Sequence, residues 1–219
     1  MSSSKIYMFH DIIENGDCST KLYTVNSSNL EMFFLGLLND NKSAKNLYEI
    51  CKVTNINKKF FSVTFDDAYE SIYKLAYPIL KKYQIPFTIF MSTSFINIPG
   101  YLTVDQLKEL ALDDLCIIGS HGVNHIYFRQ LSDNMVLEQF NVSKNILEEI
   151  TGKEVVAFAF PFGSFVSCSL KNIKLLSKTD YEIGFSTIPS GLIWPLFKVR
   201  NFLPRINVTE NFIIKSKYI

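Results

Sequence analysis

Residues 60–69 read FFSVTFDDAY. Six residues of strand-forming type run straight into two adjacent carboxylates, Asp66 and Asp67. A charge at the end of a buried strand must be paired, solvated or held against a cation. The acidic pair therefore raises the question of what meets it.

Working outward, the same pattern recurs. Residues 5–9 (KIYMF) form a short apolar run that stops at His10 and Asp11. Residues 86–91 (PFTIFM) form another. Residues 115–119 (LCIIG) stop at Ser120 and His121, with His125 four positions on. Residues 155–160 (VVAFAF) stop at Pro161-Phe162-Gly163, and residues 181–185 (YEIGF) at Ser186 and Thr187. The intervening stretches have helical spacing. Ile72, Leu75, Ala76, Ile79 and Leu80 share a face of a helix over 69–83, with a kink allowed at Pro78. Thr103 caps a helix through 111, and Ser132 starts one that runs to about 150 and stops at Gly152. Residues 170–177 read as a shorter helix, and Ser27 or Ser28 caps one carrying Leu30, Phe33, Phe34, Leu37 and Leu38. Residues 47–53 fit either a helix or a strand. A last weak strand is expected over 199–206, followed by a polar tail.

Strand and helix in alternation predict a parallel α/β fold. No Gly-rich phosphate loop follows any strand, which argues against a dinucleotide-binding fold. A distorted or incomplete (β/α) barrel fits better, as one domain over residues 1–219. The net charge of +1 gives no electrostatic case for nucleic acid or an anionic membrane. No apolar stretch is long enough for a transmembrane helix or a secretory signal. Cys18, Cys51, Cys116 and Cys168 lie far apart and read as free thiols, so a cytoplasmic location is expected. Trp194 and the many phenylalanines and tyrosines read as packing. Oligomeric state is not legible.

In parallel β/α folds the chemistry gathers at the C-terminal ends of strands. All three histidines of the chain and the acidic pair fall at such ends. His121 and His125, spaced as i and i+4, could share one helical face and bind one metal together with one carboxylate. The other carboxylate would be free to act as a base on water. Each element also has a structural reading: the acidic pair can cap a helix, H-x3-H can be a surface pair, His10 can be a buried hydrogen-bonding residue, and Pro161-Phe162-Gly163 can be a turn. Their shared placement at strand ends favours a site.

At these residues the sequence resembles the polysaccharide deacetylase family, the NodB-homology fold of carbohydrate esterases. Thr64-Phe65-Asp66-Asp67 matches the family's first motif, His121-Gly122-Val123-Asn124-His125 its second, and Pro161-Phe162-Gly163 the end of its third. The resemblance implies a NodB-type barrel and a metal-dependent hydrolase that removes an N-acetyl group from an amino sugar or glycan intermediate. It implies Asp66 as general base, and Asp67, His121 and His125 as ligands of a divalent metal, usually zinc. It also implies that the backbone N–H of Phe162 helps hold the oxyanion. Many members carry the acid on a C-terminal Leu-x-His motif, and no histidine follows His125 here. A branch acting on β-1,6-linked poly-N-acetylglucosamine carries it on an N-terminal motif like Met8-Phe9-His10, so His10 is expected as general acid. Ala68 stands where glycine is usual and Ile126 where proline is common. The third motif lacks its early arginine, and Arg205, in LPRINV, is the candidate to orient the base instead. A deformylase or other amide hydrolase of the same fold, or a degenerate glycan-binding member, is the alternative.

Overall fold

The computed structural model describes residues 4–14, 16, 18, 22–40, 42–52, 59–192 and 200–216. The chain opens with strand β1 (Lys5–Phe9), then a small parallel pair, β2 (Asp11–Ile13) and β3 (Thr24–Asn26). Helix α1 (Ser27–Asn39), strand β4 (Ser43–Ala44), helix α2 (Leu47–Lys52) and strand β5 (Phe60–Phe65) follow. Alternation then sets in: α3 (Tyr77–Lys82), β6 (Phe87–Met91), α4 (Val104–Leu112), β7 (Cys116–Ser120), α5 (Asp133–Thr151), β8 (Ala157–Ala159), α6 (Leu170–Leu176) and β9 (Ile183–Phe185). A two-residue strand β10 (Ile206–Asn207) and helix α7 (Glu210–Lys215) close the described chain.

The main sheet runs β10-β1-β5-β6-β7-β8-β9, with β4 also on β5, and every pairing is parallel. It curls into a distorted half-barrel with helices outside. Leu203 bridges Phe185 at one edge, and Ile206 pairs with Tyr7 at the other. One extended segment thus touches both edges of the curl.

The period of two along each strand sorts the side chains. On β5, Phe61, Val63 and Phe65 face the helices, while Phe60, Thr64 and then Asp66 take the opposite parity. On β1, Tyr7 and Phe9 face out and Ile6 lies in the inner cluster with Phe90, Ile117, Ala157, Ala159, Ile183 and Phe185. Continuing these parities carries His10 and His121 inward at the strand ends. The outer core is held by edge-to-face aromatics: Phe140 on α5 meets Phe158 on β8 at 4.7 Å and 86°. Each fully buried phenylalanine contributes about 1.5–3 kcal/mol of transfer free energy.

Several helix signals act as read. Thr103 forms a capping box with Gln106, and Gly152 ends α5 in the left-handed conformation. Others differ. The expected helix over 69–83 is broken: Ile72–Ala76 is a π-helical turn, with the Tyr77 N–H bonded to Ile72 O. Pro78 has no N–H for the next i→i−4 bond, so the ladder slips by one residue just before it. The cap of α1 is Asn26, not Ser27 or Ser28, and its side chain is drawn off to Glu210 at 2.9 Å. Residues 47–52 are helical. The weak strand over 199–206 is a 3₁₀ turn (Arg200–Phe202) followed by β10. The tail read as polar carries α7, whose Ile213 is buried and whose Phe212 meets Phe33. Cys18, Cys116 and Cys168 are buried free thiols. Trp194 and the side chain of Cys51 lie outside the described residues. Among the described residues no helix is long and apolar enough to cross a membrane.

Candidate active site

Strand ends converge on one cleft of about 440 Å³, lined by Met8, His10, Tyr23, Asp66, Asp67, His121, His125, Phe162, Thr187 and Asn207. Six of the residues singled out in the sequence thus share one cavity: His10, Asp66, Asp67, His121, His125 and Phe162. The seventh, Arg205, sits behind the wall in contact with Asp66.

Arg205 is fully buried, yet each of its arms is satisfied. Nη1 donates to Asp66 Oδ1 at 2.6 Å and Nη2 to Asp66 Oδ2 at 2.7 Å. Nε donates to Ser186 O at 2.9 Å, and Nη1 also reaches Thr64 Oγ1 at 3.2 Å. The guanidinium lies against the rings of Phe90 and Phe185. Burial alone would push the Asp66 carboxyl up; the Arg205 and His121 charges outweigh it and hold the group at about 2. Asp66 is therefore a fixed, ionised carboxylate with spare lone pairs facing the cleft.

Asp67 differs although it is the next residue. Burial, reinforced by Asp66 beside it, pushes its carboxyl up to about 6 despite the pull of His10 and Arg205. Its Oδ1 is buried and accepts no hydrogen bond among the described residues. That oxygen lies 3.2 Å from His125 Nε2 and 3.6 Å from His121 Nε2. His121 Nδ1 is 2.7 Å from Ala159 O, and a carbonyl only accepts, so Nδ1 carries the proton and Nε2 presents a lone pair. Burial lowers the pKa of both rings, His121 to about 3. Neutral imidazole nitrogens and a carboxylate oxygen, all within 4.8 Å of one another, make a cluster of acceptors that fits a divalent cation.

Backbone conformation sets these positions. Asp67, Ala68, His125 and Phe162 all have positive φ, at 66°, 55°, 50° and 60°. Such strain persists only where surroundings fix it. Ala68 O accepts Leu102 N–H, and Tyr69 stacks on Tyr101 at 5.1 Å. Val123 and Asn124 N–H both donate to Gln139 Oε1. The expectation that His121 and His125 share a helical face is corrected: the residues between them are non-helical, and left-handed Gly122 and His125 bend the loop so the rings meet at 5.0 Å. Ala68, where a glycine is usual, takes the left-handed conformation that favours glycine.

After β8, Phe162 turns outward, with its ring 4.6 Å from His125 and stacked on Tyr127 at 4.2 Å and 6°. Its N–H makes no hydrogen bond among the described residues. Gly163 is required in this turn: its φ is +48°, and a Cβ would lie 2.6 Å from Thr187 N. His10 packs its ring on Tyr23 at 4.9 Å, and its Nδ1 is buried without a partner among the described residues. Burial holds its pKa below the ordinary value against the pull of Asp66 and Asp67.

The sequence reading missed Met8, Tyr23 and Asn207 as cleft residues. Met8 was available from the parity of His10, and Asn207 from its place two residues after Arg205. Tyr23 follows a turn-rich stretch and carried no signal. Thr187 stood among the strand ends without a role.

A profile described as polysaccharide deacetylase matches residues 54–183. A Bacillus subtilis (strain 168) protein named as a candidate polysaccharide deacetylase, YxkH, is 31% identical over 135 residues, covering 62% of this chain and 47% of that protein. The poly-beta-1,6-N-acetyl-D-glucosamine N-deacetylase of Staphylococcus aureus (strain MSSA476) is 28% identical over 142 residues, covering 59% and 48%. The chain thus spans about half the length of these curated relatives. The Streptococcus pyogenes deacetylase PplD, solved in complex with acetate, superposes with a TM-score of 0.82 at 22% identity, covering 96% and 94%. That last likeness is one of fold.

Proposed function

The chain belongs to the polysaccharide deacetylase family, and from that premise we propose that it is a metal-dependent hydrolase removing an N-acetyl group from an N-acetylated amino sugar of a glycan. The observation that carries the reading is the pairing of two unlike carboxylates. Asp66 is clamped and ionised by Arg205, and Asp67 turns an unpaired oxygen toward two imidazole nitrogens.

Asp67, His121 and His125 would hold the cation, with zinc the leading candidate for a donor set of two nitrogens and a carboxylate. A cation bound there would supply Lewis-acid activation of water and of the amide carbonyl, which is why so weak a base as Asp66 suffices. Asp66 takes the proton from the attacking water, and Arg205 keeps its orientation fixed as the charge changes. The free N–H of Phe162 donates to the oxyanion that develops on the amide oxygen. His10, across the cleft from the acceptor cluster, delivers a proton to the leaving amine. Arg205 touches only Asp66 and its surroundings, so it is a positioning residue.

The test is acetate release from N-acetylglucosamine oligomers by purified protein, with and without chelator, alongside metal analysis. Acetate release that chelator abolishes and Zn2+ restores is the expected result. Metal bound with no acetate from any acetylated sugar favours a glycan-binding role, and no metal at all sinks the proposal.

A further inference from the structure

Two residues that line the cleft each carry a buried polar atom with no partner among the described residues, His10 Nδ1 and Asn207 Oδ1. They sit on neighbouring strands. Asn207 pairs with Met8 in the parallel register of β10 and β1, and Val208 N–H bonds to Met8 O at 2.8 Å. His10 lies two residues beyond Met8, so by the period of two His10 and Asn207 are diagonal neighbours on one face. Met8, His10 and Asn207 all line the cavity. A buried unpaired acceptor lowers stability unless something fills it. Asn207 is also two residues from Arg205, so the extended segment that fixes the base presents Asn207 to the same cleft.

We infer that Asn207 is a substrate-recognition residue whose Oδ1 accepts a hydrogen bond from a hydroxyl of the bound amino sugar. A hydroxyl is the group that satisfies both orphans: its O–H donates to Asn207 Oδ1, and its oxygen accepts the N–H of His10 Nδ1 in the imidazolium form, which leaves the Nε2 proton for the leaving amine. The substrate class that follows is a sugar with a free hydroxyl on the side of the cleft that carries the proposed acid. This rests on the deacetylase reading for the identity of the ligand, but its geometry belongs to Asn207 and His10. A site built to pair with a hydroxyl loses affinity sharply when one partner is removed.

The experiment compares wild type, Asn207→Leu and Asn207→Ala in metal-loaded protein. The probe is a soluble oligomer of β-1,6-linked N-acetylglucosamine, with Kd from calorimetry and kcat and KM from acetate release. The expected result is a Kd and KM raised by about 10- to 100-fold in both variants, with metal content and kcat little changed. Leucine matches asparagine in side-chain heavy-atom count and branching but is bulkier, and alanine decides the matter if leucine does not pack. Wild-type Kd and KM in either folded variant, or a loss confined to kcat, overturns the inference. Wild type that binds the oligomer but releases no acetate sinks the deacetylase reading alone, and the binding comparison still decides the role of Asn207. Wild type that neither binds nor releases acetate overturns both.

Discussion

Arg205 grips both carboxylate oxygens of Asp66, at 2.6 and 2.7 Å, across 139 residues of sequence. Both partners are buried, so the pair is costly to break from one side. Arg205→Ala leaves an unpaired carboxylate beneath the cleft and should destabilise the protein by about 3–5 kcal/mol in chemical denaturation. Arg205→Lys keeps the charge but not the two-pronged fit. It should fold, bind metal, and lose about 10- to 100-fold in kcat. Unchanged kcat in that variant would remove Arg205 from the mechanism.

Asp66→Asn should retain metal while turnover falls by about 10²- to 10⁴-fold. It should also change the response to acid. Burial alone would raise the Asp66 carboxyl, but Arg205 holds it at about 2, below the value of 3.8 expected when unfolded. A depressed carboxylate contributes stability above pH 4, lost as pH falls through 2, and that contribution is roughly 2 kcal/mol. Denaturation at pH 3 and pH 7 should therefore show a smaller acid loss in Asp66→Asn than in wild type.

For Asp67 the sign reverses. Its carboxyl is raised to about 6, so in metal-free protein its contribution to stability is present below pH 3.8 and lost as pH rises through 6. Cation binding needs the ionised form. Affinity should be flat above pH 7 and fall by about tenfold per unit below 6, as a proton must be displaced. Melting temperature should accordingly rise more on adding Zn2+ at pH 7.5 than at pH 5. An equal rise at both would place the cation elsewhere. His125→Ala should weaken metal affinity by removing one of the three converging donors.

His10→Gln should lower kcat by about 10²-fold or more with metal content intact. Its Nδ1 makes no hydrogen bond among the described residues, so the same variant should shift melting temperature little. Wild-type turnover would refute the acid role.

Much of this was legible because strand ends are local properties. The apolar runs over 5–9, 60–65 and 115–119 stop at His10, at Asp66-Asp67 and at Ser120-His121, and those stops are what drew the site residues together. The loop geometry was not legible. The H-x3-H spacing suggested a helix, whereas left-handed Gly122 and His125 do the work in an extended loop held by Gln139, a residue 16 positions from Val123. Nor was the slipped turn at Ile72–Ala76 readable beyond a kink at Pro78. Tyr23 escaped because its place beside His10 depends on the β2–β3 pairing, and three-residue strands carry almost no periodic signal. Arg205 was named because the resemblance calls for an arginine that the third motif lacks, and the structure sets it against Asp66 just before the two-residue strand β10.

That segment has a consequence for the order in which the cleft is completed. Residues 203–207 span both edges of the curled sheet and carry the arginine that Asp66 requires. On the ribosome, the nascent chain presents its acidic pair and both loop histidines long before residue 205 leaves the exit tunnel. Until then the inward carboxylate has no counter-ion in the barrel, and burying it is unfavourable. The segment that joins the two edges of the curled sheet is therefore also the one that brings Asp66 its counter-ion.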